Sequence, residues 1–302
     1  MFRFLNKVRR VINKRFLRTP GVEYLLKNSD NIHTKSKHIK FWLKCSERNK
    51  NFRKFFFDKV SNSTENLSFD INQENFELSE VMLSTLSNNG LVILKNALPE
   101  NERKKIIDYF NQLKNLKKSK NWIKGPISTN EFREASEIFG LTSIKNFEFL
   151  NKISQKFSKE IYGKIVEPTV ELRYLNVNGN SEMNKTKGST FIHTDRFLPH
   201  FKIFYTPFEI KEKDAPLQYL LSSHKINEDY VNFFINTKTF DETDENFKKF
   251  NFKKKIVCVP KNSLYVAFTN GFHSRSKFSD KSERSMLFLQ YVERYNKIDY
   301  LF

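Results

Sequence analysis

The sequence predicts an α+β chain in which helices come first and short strands follow. Up to Gly163 apolar residues recur at i, i+3 and i+4; beyond it the apolar runs shorten, alternate and are separated by turn residues. The 32 Phe among 302 residues, against 8 Gly and 8 Pro, call for a packed core and exclude a disordered, collagen-like or low-complexity chain.

Residues 1–18 read as a basic amphipathic helix. Phe4, Leu5, Val8, Val11, Ile12 and Phe16 form the apolar stripe, Arg3, Lys7, Arg9, Arg10, Lys14, Arg15 and Arg18 supply the cations, and Pro20-Gly21 ends it. Residues 38–59 are helical in character and basic, so 1–60 is expected to be a helical appendage. The polar, aperiodic stretch 61–75 reads as a linker, and 76–302 as the main domain. There, Leu78 to Leu86 is a short helix stopped by Asn88-Asn89-Gly90, and Leu91 to Leu94 is a buried strand. Pro99 opens a helix with Ile106, Ile107, Phe110 and Leu113 on one face. Phe149, Leu150, Ile153, Phe157 and Ile161 mark another over 145–163. The runs 165–177, 189–193, 201–210, 217–221, 255–259, 263–268 and 284–292 then predict the strands of an all-β half, a sandwich or barrel.

Charge narrows the function classes. Residues 1–60 hold 17 Lys/Arg and 4 Asp/Glu, a net of +13 out of +19, so the folded body is only mildly basic. That argues against a nucleic-acid-binding domain, which needs its basic face on the body. The start suits either peripheral contact with an anionic membrane or docking on its own domain. Two cysteines, Cys45 and Cys258, make no disulfide framework and fit a reducing, cytoplasmic setting. No run of 18 apolar residues predicts a membrane-spanning helix.

The chemistry concentrates at Phe191-Ile192-His193-Thr194-Asp195. On a strand, residues i and i+2 share a face, so His193 and Asp195 would present an imidazole and a carboxylate side by side. A second imidazole would complete the two-His, one-carboxylate facial triad that holds Fe(II) and leaves three positions open. Of the other histidines, His33 and His38 lie in the basic segment, His200 follows Pro199, and His224 sits in a polar loop. His273, just after Asn270-Gly271 and the strand-like run Leu264 to Phe268, is the best-placed partner. Arg284, eleven residues on, begins an alternating run, and a guanidinium facing inward can grip a carboxylate with two hydrogen bonds.

Four stretches, in order, resemble the phytanoyl-CoA dioxygenase family of Fe(II)/2-oxoglutarate oxygenases, which includes ectoine hydroxylase. They are Asn89 to Leu98, the dyad His193-Thr194-Asp195, Ala215 to Lys225 with its Ser-His-Lys end, and His273 followed by Arg284. The resemblance spans about residues 76–292 and implies a double-stranded β-helix (a jelly roll, cupin-like) flanked by N-terminal helices. It implies that His193, Asp195 and His273 bind Fe(II) and that Arg284 binds the distal carboxylate of 2-oxoglutarate, with O2 as the third reactant. The implied reaction releases succinate and CO2 and hydroxylates a C–H bond; in related halogenases a small residue replaces the carboxylate kept here as Asp195.

Two departures stand out. Leu221-Ser222 replaces the family's Pro-Gly turn. Arg275 stands where a Ser usually assists 2-oxoglutarate, with Ser274 and Ser276 on either side as substitutes. Arg173, Arg196, Lys202, Tyr205 and Arg275 are candidates for the substrate side of the pocket. Their cations suit an anionic small-molecule or lipid-linked substrate, although Arg173 can instead pair with Glu171. Two further readings stay open at this level: a jelly-roll binding protein without catalysis, and a peripheral membrane protein acting through its basic start.

Overall fold

The computed structural model describes residues 32–59, 66–115, 122–124, 129–132, 143–178, 191–237, 241–276 and 281–291. Its helices are α1 (Ile32–Glu47), α2 (Glu80–Asn89), α3 (Glu100–Asn115), α4 (Glu148–Tyr162) and α5 (Glu228–Asn236), with shorter helical turns at Lys50–Phe57 and Glu245–Lys249. The strands are β1 (Ser68–Asp70), β2 (Leu91–Lys95), β3 (Trp122–Lys124), β4 (Thr129–Phe132), β5 (Thr169–Asn178), β6 (Phe201–Thr206), β7 (Leu217–Leu220), β8 (Lys254–Ile256), β9 (Ser263–Phe268), β10 (His273–Arg275) and β11 (Lys281–Gln290).

These strands make two sheets, a large one ordered β1-β2-β9-β6-β11-β5-β4-β3 and a small one ordered β10-β7-β8. Side chains sort between the faces of the large sheet with period two. Val92 and Leu94, Leu172 and Tyr174, Ile203 and Tyr205, Leu264 and Val266, and Leu287 and Leu289 join one core with the helices. Their neighbours Leu91 and Ile93, Phe204, Tyr265 and Ala267, and Met286 and Phe288 pack in a second core with Leu217 and Tyr219 of the small sheet. The result is three layers: helices, large sheet, small sheet. The two facing sheets are a double-stranded β-helix, a jelly roll flanked by helices, so the fold is α+β.

Local chemistry sets the helix ends. Ser79 caps α2 by accepting from the Met82 N–H, and Gly90 ends it in the left-handed region at φ 76. Helix α4 has no cap from its own chain neighbour. The buried Glu102 carboxylate of α3 accepts from the Phe149 and Leu150 N–H groups at 2.7 and 3.2 Å instead.

The structure corrects four expectations. The part of the N-terminal appendage that is described is no appendage: Ile39, Leu43, Phe52, Phe55 and Phe56 lie in the main core, with Phe56 4.5 Å from Phe268 between ring centroids. The cations on the outer face mask this stripe in composition. The expected linker contributes β1, which pairs parallel to β2. Helix α5 and the turn at 245–249 interrupt the half expected to be all strand. Finally, residues 191–193 form no regular strand; His193 makes isolated bridges to His273 and Asp241. The basic helix expected over residues 1–18 lies outside the described residues, and among those described no helix is long and apolar enough to cross a membrane.

Behind the small sheet, Tyr219 donates its phenol to the Phe268 carbonyl at 2.8 Å and sits against Gly90 and Gly271. His224 lies beside it, fully buried, its Nε2–H donating to the Ser87 carbonyl at 2.9 Å. A Cβ on Gly90 would penetrate both the Tyr219 hydroxyl and the His224 ring, and an L-residue there is strained at φ 76. Gly90→Ala is therefore expected to destabilise the protein by about 2–5 kcal/mol, the left-handed penalty plus overpacking, measured by chemical denaturation. Burial pushes the His224 pKa down from 6.5 to about 3. The unfolded chain then binds a proton that the folded chain refuses, so this stabilisation is full above pH 6.5 and is lost as pH falls toward 3. The loss approaches about 1.4 kcal/mol per pH unit. His224→Gln is expected to flatten the fall in denaturation midpoint between about pH 6.5 and 5; an unchanged slope would contradict the assignment.

Candidate metal centre

The two imidazoles are joined through their backbones. The His193 N–H donates to the His273 carbonyl and the His273 N–H to the His193 carbonyl, both at 2.8 Å, and the rings stand 4.7 Å apart. This bridge attaches residue 193 to the edge strand β10 and takes the place of the longer strand expected there. Asp195 is pinned separately, its N–H donating to the Thr269 carbonyl at 2.9 Å. Each ring contacts the carbonyl two residues before it, His193 Nδ1 to Phe191 at 2.7 Å and His273 Nδ1 to Gly271 at 2.9 Å. A carbonyl only accepts, so Nδ1 carries the proton and Nε2 keeps its lone pair. Such outer hydrogen bonds orient metal-binding imidazoles.

One ligand atom from each of His193, Asp195 and His273 lies within 4.8 Å of the others, and His273 Nε2 is 3.7 Å from Asp195 Oδ1. Two donors about 2.1 Å from a common ion are ~3–4 Å apart, so small side-chain rotations close the set. Charge states suit a cation. Burial, then the neighbouring His273, push the His193 pKa down to about 4 and keep that imidazole neutral. Burial opposes ionisation of Asp195, but the Lys202 ammonium at 2.7 Å from Oδ2 and then His273 hold its pKa well below the usual carboxylate value. The residues present therefore fit a divalent metal held on one face by two nitrogens and one oxygen, the donor set that suits Fe(II).

The triad opens into a cavity of about 100 Å³ between the sheets. Arg284, Met286 and Phe288 line it from alternate positions of β11, Lys202 and Phe204 from β6, and Arg173 from β5, directly opposite Met286. Leu217, Tyr265, Ser274 and Arg275 complete the wall. Arg284 donates to the Ala215 carbonyl. Arg173 is clamped by Glu171 at 2.7 and 2.9 Å and lies 4.3 Å over the Phe288 ring, so the pairing raised from the sequence forms while the guanidinium still faces the cavity.

Other expected residues stand elsewhere. Tyr205 is not on the cavity wall. It is an odd number of residues from Lys202, so the pleat turns it to the helical layer, where its hydroxyl donates to Asn262 Oδ1 at 3.0 Å. Arg196 does not line the cavity either and lies beside His200, which is buried with Nδ1 2.6 Å from Thr269 Oγ1. Ser276 is buried behind the wall, its N–H donating to the Pro216 carbonyl at 2.8 Å. The lost Pro-Gly turn is kept in shape: Ser222 adopts φ 65 and its hydroxyl donates to the Asn88 carbonyl at 2.8 Å. The apolar wall of Phe204, Met286 and Phe288 was missed, yet its signal was present, since these residues share the parity of Lys202 and Arg284.

No family model matches the chain, and no curated protein matches it by sequence. Several solved structures are similar in fold. The α-ketoglutarate-dependent carbocyclase SnoK from nogalamycin biosynthesis is 14% identical, with a TM-score of 0.48 over 74% of this chain and 86% of that one. EctD from S. alaskensis with bound Fe is 11% identical, with a TM-score of 0.45 over 78% and 81%. HygX from Streptomyces hygroscopicus, with nickel and 2-oxoglutarate bound, is 14% identical, with a TM-score of 0.44 over 71% and 87%. These superpositions are loose, and the jelly-roll assignment rests on the strand order and the two cores.

Proposed function

We propose that this chain is an Fe(II)- and 2-oxoglutarate-dependent oxygenase, of the phytanoyl-CoA dioxygenase-like kind that its sequence resembles, hydroxylating an anionic small molecule. One observation carries the reading: His193, Asp195 and His273 converge at the mouth of a cavity that also holds Arg284. When bound, iron and 2-oxoglutarate supply the oxidising chemistry, in which O2 is consumed, the keto acid leaves as succinate and CO2, and a C–H bond becomes C–OH.

The chain's own residues do the rest. His193, Asp195 and His273 would hold the metal with three donors, a set that suits Fe(II) and would leave room for the keto acid and O2. The Arg284 guanidinium, anchored by the Ala215 carbonyl, takes the distal carboxylate as a charge-assisted pair. Phe204, Tyr265, Met286 and Phe288 keep bulk water from the reacting atoms. Four cations, Arg173, Lys202, Arg275 and Arg284, line the cavity against the carboxylates of Asp195 and the neighbouring Glu171. A divalent metal adds two positive charges and 2-oxoglutarate removes two, so the loaded cavity stays cationic and favours an anionic substrate.

The purified chain with Fe(II), ascorbate and 2-oxoglutarate is expected to form succinate above background, and without O2 to show a metal-to-keto-acid charge-transfer band. His193→Ala is expected to lose both signals. Arg284→Leu is expected to keep metal binding while the half-saturating 2-oxoglutarate concentration rises by a factor of about 30 or more, the cost of unpairing a buried charge. A wild-type chain that binds Fe(II) but shows neither succinate nor the band would overturn the reading.

A further inference from the structure

Lys202 is bound to a prospective metal ligand. It sits on β6, between β9 and β11, opposite Ala267 on one side and Gln290 on the other. Both flanking ladders fix its backbone, and the pleat aims its side chain into the cavity beside Phe204. Its ammonium reaches Asp195 Oδ2 at 2.7 Å, with both side chains largely buried, while Asp195 Oδ1 faces His273 Nε2 at 3.7 Å. The two carboxylate oxygens are thus made unequal before any metal arrives: one is paired with a cation, the other faces the His273 imidazole.

We propose that Lys202 is a positioning residue that restricts Asp195 to a one-oxygen ligand. The inference rests on the oxygenase reading above. Its consequence follows from counting. A facial triad of single-atom donors leaves three of six octahedral positions, enough for a bidentate keto acid and one further ligand. Were both oxygens of Asp195 to bind, only two positions would remain, and a chelating keto acid would fill them. With Oδ2 paired to the ammonium, bidentate coordination means breaking a largely buried ion pair. Lys202 therefore guards the open position without touching the reacting atoms.

The test uses the intact chain loaded with Mn(II), a stand-in for Fe(II) that needs no protection from air. Broadening of its electron paramagnetic resonance lines in 17O-enriched water counts the exchangeable water ligands. Three are expected in the wild type, two in Lys202→Met, and three again in Lys202→Arg, which restores a donor to Oδ2. Calorimetry is expected to show one Mn(II) bound in all three proteins, with 2-oxoglutarate binding to the Mn(II)-loaded Met variant weakened by about tenfold and recovered by Arg. Two waters in the wild type would sink the proposal, an outcome that can be read even if the Met variant fails to fold. Three waters in Lys202→Met would sink it too, including the case in which 2-oxoglutarate binding falls, since that pattern marks Lys202 as a direct cosubstrate contact. A wild type with three waters that binds no 2-oxoglutarate would instead overturn the oxygenase reading on which the proposal stands.

Discussion

The reciprocal pair of hydrogen bonds between the backbones of His193 and His273 is the constraint on which the site depends. It is a single antiparallel bridge, yet it sets the spacing of two imidazoles that are 80 residues apart in the chain. The side chains then need no long-range partner to find their orientation, because each ring is tethered to a carbonyl two residues back along its own chain. Position comes from the ladder and direction from the local tether. Because both rings are tethered before a metal would bind, little rotamer entropy is left to lose.

The rest of the fold keeps that bridge still. β10 is only three residues long, and the residue just before it anchors it. Phe272, next to His273, turns away from the cavity and meets Phe233, Phe247, Phe250 and Phe252 at centroid separations of 5.0 to 6.3 Å. Large, rigid rings supply much contact area for few torsions, so a short strand next to a loop is held as a longer one would be. The high Phe content of the chain thus has a structural use at the site as well as in the core between helices and sheet. Gly271 is required in the same place because the Tyr219 hydroxyl fills the space a Cβ would take.

Much of this was legible in the sequence where local rules decide. The helix stops at Gly90 and Gly163, the strand parity of β6, β9 and β11, and the H-x-D dyad follow from neighbours one to four residues apart. What escaped depends on contacts across the fold. The stripe Ile39, Leu43, Phe52 and Phe56 was hidden because its cationic side outweighs it in composition, and nothing local says that α4, α5 and β9 will cover it. Over 191–193 the expected strand reduces to isolated bridges at His193, because the pairing partners decide strand length there and propensity does not. Tyr205 was misplaced for a reason the sequence did contain: it and Lys202 differ in parity and cannot share a wall.

Electrostatics links the layers. A carboxylate buried between two sheets costs several kcal/mol unless it is paired. Here the pairing cation comes from the central strand of the large sheet, while the imidazole beside Asp195 comes from the edge of the small one. Asp195 therefore couples the two sheets at the point where the cavity opens, and its ionisation depends on their being correctly stacked. Arg284 makes the same connection from the other wall, reaching from β11 to the Ala215 carbonyl at the approach to β7. Both polar contacts span the gap between the sheets, and the apolar residues around them, Phe204, Met286 and Phe288, provide the low dielectric in which such contacts are strong. The groups that give this cavity its chemistry thus also set the spacing of its walls, so a substitution at Asp195 or Arg284 acts on both.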